Sequence, residues 1–464
     1  MTPRHIAVID IGKTNVKLAL VEGVTLTELE VVTRPNRVLP GPPWPHFDTE
    51  GTWAFLTDAL ARFHVRHGVE AISITTHGAC AALLTADGSL AAPVLDYEHD
   101  GPQQTAREYD ALRPAFEVTG SPRLPHGLNL GAQLHWQLAT TPGLLDRVAQ
   151  VVTWPQYWAF RLTGRMATDV TSLGCHTDLW CPGARDFSSL VERLGLVGKM
   201  APPRRPDEIL GTLLPDISAA TGLPEATPVA VGIHDSNASL LPHLKARAAP
   251  FSVVSTGTWV VVMTVGGRAV TLDPARDTLI NVNAFGAAIP SARFMGGREY
   301  EVIRAGSEVA PSPEDVTEVL DAGILLLPAV EPSSGPFAGR AMEWRNLPAD
   351  ARPGLRMAAL SFYLALMTAE CLSMTGSGGP IIVEGPFGGN VNYLQMLAAA
   401  TGQPVLASRA RTGTSAGAAL LVTDLRASST VFDPTYIDAE LRANMAAYAS
   451  RMRLSFLKRD HARA

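Results

Sequence analysis

Two segments about half a chain apart are built to one plan. His5–Val21 and Phe251–Val265 each read as an apolar strand, a tight turn of glycine and hydroxyl residues, and a second apolar strand. A turn that short joins antiparallel neighbours, so each segment predicts one hairpin of a larger sheet. A repeat of this kind implies two related domains facing each other. Length alone allows about three domains at ~150 residues each. The repeat reduces that to two, residues 1–245 and 246–464, with the boundary near Leu244–Pro250.

The rest of the chain alternates apolar runs with helical spacing, which predicts an α/β architecture. In the first half, strands are expected at Ile6–Ile11, Val16–Val21, Leu29–Thr33 and Ala71–Thr75, with a helix over Thr49–His64. Ala79–Thr85 and Leu90–Leu95 flank Ala86-Asp87-Gly88 as a second hairpin, and further helices are expected at Gln103–Leu112, Leu128–Ala139 and Trp154–Leu162. Pro228–Gly232 reads as a buried strand running into a helix at His234-Asp235-Ser236. In the second half, Leu355–Thr375 is the longest helical pattern. Ile381–Glu384 and Val405–Ala407 read as strands, and Ser415–Val422 and Pro434–Met452 as helices. The polar tail Lys458–Ala464 is expected to fray.

Composition narrows the function. A net charge of −6 argues against a polyanion binder, because phosphate-backbone affinity needs clustered Lys and Arg. Cys80, Cys175, Cys181 and Cys371 are too scattered for a disulfide framework or a zinc site. The first apolar run is short and ends in an acid, unlike a signal peptide, and no stretch of ~18 uninterrupted apolar residues suggests a membrane span. These features predict a reduced, cytoplasmic protein that binds neither nucleic acid nor membrane.

The chemistry concentrates in the turns. Gly12-Lys13-Thr14 has the end of a P-loop, but the glycine required five positions before Gly12 is replaced by Ala7, and a strand follows instead of a helix. A hairpin turn of this composition still converges backbone N–H groups on a phosphate, with Lys13 or Lys17 supplying charge. Asp10, at the strand end, is placed to hold Mg²⁺ through water. Its plain alternative is an acid that caps the turn. A second such turn, Ser255-Thr256-Gly257-Thr258, would let two domains grip a polyphosphate from both sides. Asp235 opens a helix after a buried strand, where ligands bind in α/β sheets. It is either an N-cap or a general base for a substrate hydroxyl, and only the second role requires a carboxylate.

Asp10-Ile11-Gly12-Lys13-Thr14-Asn15, Val231-Gly232-Ile233-His234-Asp235, Ser255-Thr256-Gly257-Thr258-Trp259 and the Gly385–Asn390 loop occur in the order seen in FGGY-family carbohydrate kinases. Arg161-Leu162-Thr163-Gly164 with Ala167-Thr168-Asp169 is also similar to that family's first domain. The resemblance spans nearly the whole chain. It implies two ribonuclease H-like (actin-type) ATPase domains with a cleft between them, closing on ligand. It also implies ATP and Mg²⁺ as cofactors, a small ketose or deoxyketose as substrate, and the homodimer that is common in the family. His234-Asp235, the second turn, and Asn281 and Asn283 look like the rhamnulokinase-like branch, and His77-Gly78 is similar to the His-Gly pair of xylulokinases.

Carried over, Asp235 matches the catalytic base. Gly12, Lys13, Thr14, Asn15 and Lys17 match the first phosphate turn, and Thr256, Gly257 and Thr258 the second. Gly385, Gly388, Gly389 and Asn390 match the adenine loop, and Asp10 the magnesium partner. His77, Gly78, Asp96, His234 and Asn283 fall at sugar-contacting positions, and Trp154 and Trp259 are candidates to shape the sugar pocket. Two departures stand out. The Asp-x-Arg pair is replaced by Asp96-Tyr97-Glu98-His99-Asp100, which predicts an acidic sugar pocket, and the usual three-glycine adenine loop reads Gly385-Pro386-Phe387-Gly388-Gly389-Asn390.

Three rival readings remain open from sequence. Gly413-Thr414-Ser415-Ala416-Gly417 matches the Gly-x-Ser-x-Gly nucleophile elbow, yet the only later histidine is His461, and close packing of small residues explains the string as well. An ATP-driven chaperone-type clamp needs a peptide-binding domain for which no residues are left over. A sugar-binding relative without turnover shares all the motifs.

Overall fold

The computed structural model describes residues 2–408, 413–423, 425 and 432–461, with side chains as far as 455. The chain divides into two compact units. The first comprises residues 1–246, 280–288 and 412–429; the second comprises 247–279, 289–411 and 430–464.

The first unit is built on a sheet whose strands include β1 (His5–Ile11), β2 (Asn15–Glu22) and β3 (Glu28–Pro35). Helix α1 (Thr49–His67) then leads to β4 (Ala71–Thr76), and α2 (Trp154–Thr163) to β5 (Ile209–Thr212), β6 (Pro228–Ala230) and β7 (Ile233–His234), after which α3 (Asp235–Ala246) begins. The sheet order is β5-β6-β4-β1-β2-β3, with β7 also beside β4. β1 runs antiparallel to β2 and parallel to β4.

The run Ile6–Ile11 is almost wholly apolar because both faces of β1 are covered. Ala7, Ile9 and Ile11 pack with Leu56, Leu60 and Phe63 of α1. Ile6 and Val8 on the opposite face pack with Ala418 and Ala419 of the helix Gly413–Ala419. That second layer sits very close, since a β-carbon at Gly417 would collide with the carbonyl oxygen of Ala238 on α3. The Gly-x-Ser-x-Gly string is therefore a packing device: Ser415 is fully buried and presents no nucleophile.

The second unit repeats the plan. β8 (Phe251–Thr256) and β9 (Val260–Val265) form the hairpin, followed by β10 (Thr278–Val282), β11 (Ala288–Phe294), helices α4 (Gly296–Arg304) and α5 (Pro353–Met374), β12 (Ile381–Glu384), α6 (Val391–Thr401), β13 (Val405–Ser408), β14 (Phe432–Pro434) and α7 (Ala439–His461). The sheet order is β10-β11-β9-β8-β12-β13-β14. β8 is antiparallel to β9 and parallel to β12, matching the arrangement around β1. Helix α5 is long and apolar enough to cross a membrane, but 83% of its most apolar window is buried inside this unit. Its residues Leu360, Tyr363, Leu364 and Met367 form the centre of the core.

Some expectations need correction. Ala81–Leu84 pairs with Gln150–Thr153, and Leu90 contributes only a single bridge to Leu84, so Leu90–Leu95 is not a strand. The turn at Ala86-Asp87-Gly88 does form, held by Thr85 and Ser89. Phe432–Pro434 is an edge strand, and the helix expected from Pro434 begins only at Ala439. Pro434 lacks the N–H and pairs with Leu406 at the sheet edge, where proline is tolerated. The helix reaches His461 and, at 23 residues, exceeds the 22 of α5. Residues 462–464 of the tail expected to fray lie outside the described set.

One buried acid lies in the second core. Glu299 of α4 is 1% exposed. Its Oε1 accepts from the Tyr363 hydroxyl at 3.0 Å and from the Glu331 amide at 3.0 Å, and its Oε2 has no partner. Burial pushes this carboxyl up to about 7.

Two outcomes follow from this packing. Gly417→Ala should destabilise the first unit by about 2 kcal/mol in denaturant unfolding. Helix propensity alone predicts a gain of ~1 kcal/mol, so the sign decides whether backbone contact governs the site. Glu299 holds its proton more tightly folded than unfolded, so its contribution is complete below the ordinary glutamate range and is lost as pH rises through about 7. Melting temperature should fall from pH 5 to 8 by the equivalent of about 3 kcal/mol, and Glu299→Gln should flatten that slope.

Candidate active site

In the first unit, the carboxyl ends of three parallel strands meet. Asp10 and Ile11 of β1 lie beside Thr75 and Thr76 of β4, and Ile233 and His234 of β7 pair with the same two threonines. The chain leaves β4 through His77-Gly78 and leaves β7 into Asp235, so Asp10, His77, His234 and Asp235 share one end of the sheet. Ligands bind at this end in α/β folds because the loops there are free to diverge.

Asp235 is the first residue of α3, and its Oδ1 accepts from the next amide, Ser236, at 2.6 Å. Solvent reaches 36% of its side chain, and His234 Nε2 lies 3.3 Å from Oδ1. Burial raises its carboxyl above the usual range, while His77 and the Ser236 amide pull it down. His234 and His77 are both held near a pKa of about 4 by burial, so both are neutral at pH 7. Each has a buried ring nitrogen without a partner, Nδ1 of His234 and Nε2 of His77. Unpaired buried polar atoms are costly, and a bound hydroxyl would satisfy them. A β-carbon on Gly78 would lie 2.8 Å from His234 Nε2, so only glycine leaves that ring its place. Cys175 Sγ sits 3.7 Å from the same nitrogen. None of the four cysteines is joined in a disulfide among the described residues.

An aromatic wall surrounds His77, with Phe47, Tyr97 and Trp154 rings at 5.2, 5.4 and 6.4 Å. Trp154 is buried and stacked on Tyr157. Phe47 and Tyr97 were not legible as site residues; the only sequence signal was Tyr97 lying between two acids. Trp259 belongs to the second unit, where Arg293 lies 4.7 Å over its ring.

The first turn closes with the Gly12 amide on the Asn15 carbonyl at 2.9 Å, and Asn36 braces it from below through its amide and side chain. Thr14 and Asn15 are exposed at the tip. Both nearby cations are engaged. Lys17 lies opposite Asp10 across the hairpin and reaches Asp10 at 3.3 Å and Glu28 at 3.2 Å. Lys13 contacts Asp96 and lies 3.2 Å from Glu98. Lys13 therefore offsets one of the two sugar-side acids. Burial raises the Asp10 carboxyl, Lys17 lowers it, and the charge of Asp235 raises it again. Three carboxylates, Asp10, Glu28 and Asp235, around the single lysine Lys17 leave a net negative site that suits a divalent cation held through water. No group of three or more His, Cys, Asp or Glu among the described residues forms a ready-made metal cage.

In the second unit, Gly257 and Thr258 are exposed at the tip of the second turn, closed by the Gly257 amide on the Trp259 carbonyl at 2.9 Å. Thr256 ties this turn to the Gly385–Asn390 loop: its hydroxyl donates to the Glu384 carbonyl at 2.5 Å and accepts from the Phe387 amide at 3.1 Å. Gly385 has φ +83° and lies against the Thr256 carbonyl, leaving no room for a side chain. Phe387 is buried against Tyr300 and Tyr393, whereas Gly389 has open space around it. Asn390 caps α6 by accepting from the Tyr393 amide at 3.0 Å, and its side-chain nitrogen donates to Ser361. Its side chain is thus used within the fold. The same holds for Asn283 in the first unit, whose Oδ1 accepts from the Phe285 and Ala287 amides at 3.0 Å each.

Comparison with known proteins matches both halves of the chain. Residues 5–242 match the N-terminal domain model of the FGGY family of carbohydrate kinases, and residues 248–430 match its C-terminal domain model. A carbohydrate kinase from Novosphingobium aromaticivorans shares 35% identity, covering 98% of this chain and 99% of that one, with a TM-score of 0.91. A xylulose kinase from Lactobacillus acidophilus shares the fold at 14% identity and a TM-score of 0.78, over 97% of this chain and 96% of that one. L-fuculokinase from Salmonella typhi is 27% identical over 278 residues, a match covering 57% of each chain, so the alignment spans little more than half the length of that curated relative.

Proposed function

Because the chain belongs to the FGGY family of carbohydrate kinases, we propose that it transfers the γ-phosphoryl group of ATP to a hydroxyl of a small ketose or deoxyketose, with Asp235 as the general base. The observation that carries this reading is the placement of Asp235 between two neutral histidines whose unpaired ring nitrogens suit hydroxyl groups. His77, His234 and Asp96 orient the sugar, and Gly78 leaves space for it. Asp235 takes the proton of the reacting hydroxyl as the new bond to phosphorus forms. Its raised carboxyl makes it a better proton acceptor than an ordinary aspartate.

In the first unit the turn closed by Gly12, with Thr14 and Asn15 at its exposed tip, meets phosphate, and in the second the turn Thr256-Gly257-Thr258 does so. Gly385, Gly388 and Gly389 leave the backbone open to the nucleotide base. Asp10 would hold Mg²⁺ through water, with Lys17 fixing the carboxylate. Bound there, Mg²⁺ neutralises charge that develops on the transferring phosphoryl group.

A coupled ADP-release screen over ketoses, deoxyketoses and polyols should single out one sugar with turnover far above the rest. With that sugar, Asp235→Asn should keep its melting temperature and lose at least ~10²-fold in turnover. The acid limb of the wild-type kcat/KM profile should lie above the usual aspartate range and be absent in the variant. Turnover of Asp235→Asn within a few-fold of wild type would remove Asp235 from the mechanism.

A further inference from the structure

We propose that Lys13, although it stands in the first phosphate turn, is a specificity-determining residue of the sugar site, pairing with Asp96 to read two neighbouring hydroxyls of a neutral sugar. The inference rests on the assignment of the sugar to the Asp235 end of the first sheet.

The side chain of Lys13 runs away from the exposed tip formed by Thr14 and Asn15. Its ammonium group contacts Asp96 Oδ1, lies 3.2 Å from Glu98 Oε2, and sits 4.8 and 5.2 Å from the ring centres of Tyr97 and Phe47. Those are the rings that wall in His77. A lysine amine is a compact charge with three donors. Asp96 and Glu98 take two of them, which leaves one for a ligand oxygen. On Asp96, the Lys13 contact and the Glu98 amide at 3.2 Å both fall on Oδ1, so Oδ2 is left to accept from a ligand hydroxyl. One donor and one acceptor side by side fit a pair of adjacent hydroxyls.

Charge decides which sugars the pair accepts. The Lys13 ammonium is already balanced by two carboxylates, and Asp235 adds a third nearby. A sugar acid would bring a further negative charge with no free cation at this wall, whereas a neutral ketose or polyol meets matched partners. Without Lys13, Asp96 would be left partly buried and uncompensated, so part of the effect of Lys13 on the sugar runs through Asp96.

The test uses the full-length protein with D-xylulose and L-fuculose as sugar probes and MgATP as nucleotide. Lys13→Met should raise the sugar KM about tenfold or more, the scale of losing one charge-assisted hydrogen bond. Calorimetric affinity for MgATP should stay within about twofold of wild type, because the amine is not at the phosphates. Lys13→Arg should restore the sugar KM to within about threefold, and the KM losses of Lys13→Met and Asp96→Asn should be less than multiplicative in the double variant. A tenfold loss of MgATP affinity in Lys13→Met overturns the proposal, as does an unchanged sugar KM. If neither probe is turned over, the MgATP measurement decides by itself on the same criterion. Failure of the wild type on every ketose, deoxyketose and polyol would instead overturn the underlying sugar-site assignment.

Discussion

The parallel register of β1, β4 and β7 is the constraint on which the chemistry depends. Asp10 opposite Thr75, and His234 opposite Thr76, bring three strand ends level. Side chains alternate faces along a strand, so a slip of one residue would send Asp10 or His234 to the other side of the sheet. The register is held from outside the site. Ala7, Ile9 and Ile11 can face only α1, and Ile6 and Val8 only the small-residue helix Gly413–Ala419. Core packing thus sets the positions of charged residues that contribute little to the core themselves.

Desolvation then tunes what the register assembles. The same burial that keeps His77 and His234 neutral raises Asp10 and Asp235. Each effect disfavours charge, and together they produce a region where neutral donors surround carboxylates. Lys13 and Lys17 offset the acids without removing the asymmetry, since each is shared between two carboxylates.

Much of this was legible in sequence because it depends on short local patterns. The hairpins at His5–Val21 and Phe251–Val265, and the helix starting at Asp235, follow from apolar alternation broken by glycine and acid. Long-range choices were not legible. Nothing in Ala81–Leu84 indicates Gln150–Thr153 as its partner in preference to the nearer Leu90 segment. At the site, residue types pointed to His77, His234 and Asp235, but not to the use of Asn283 and Asn390 as local braces, because an asparagine that caps a turn and one that meets a ligand look alike in a sequence. Lys13 shows the same limit in reverse: its neighbours in the chain place it at a phosphate, and its neighbours in space are Asp96 and Glu98.

The interrupted makeup of the first unit has a consequence for how it is made. Its β1–β2 hairpin is made early, but Ala418 and Ala419, which cover Ile6, Val8, Ala19 and Val21, come more than 390 residues later. At a synthesis rate of about 5–20 residues per second, that face waits roughly 20 to 80 seconds on the ribosome for its cover. During that interval an apolar sheet surface is bare in a crowded cell. The first unit therefore cannot mature in order of synthesis, and the helix Gly413–Ala419 acts as a closing clasp supplied only after the whole stretch between has been made.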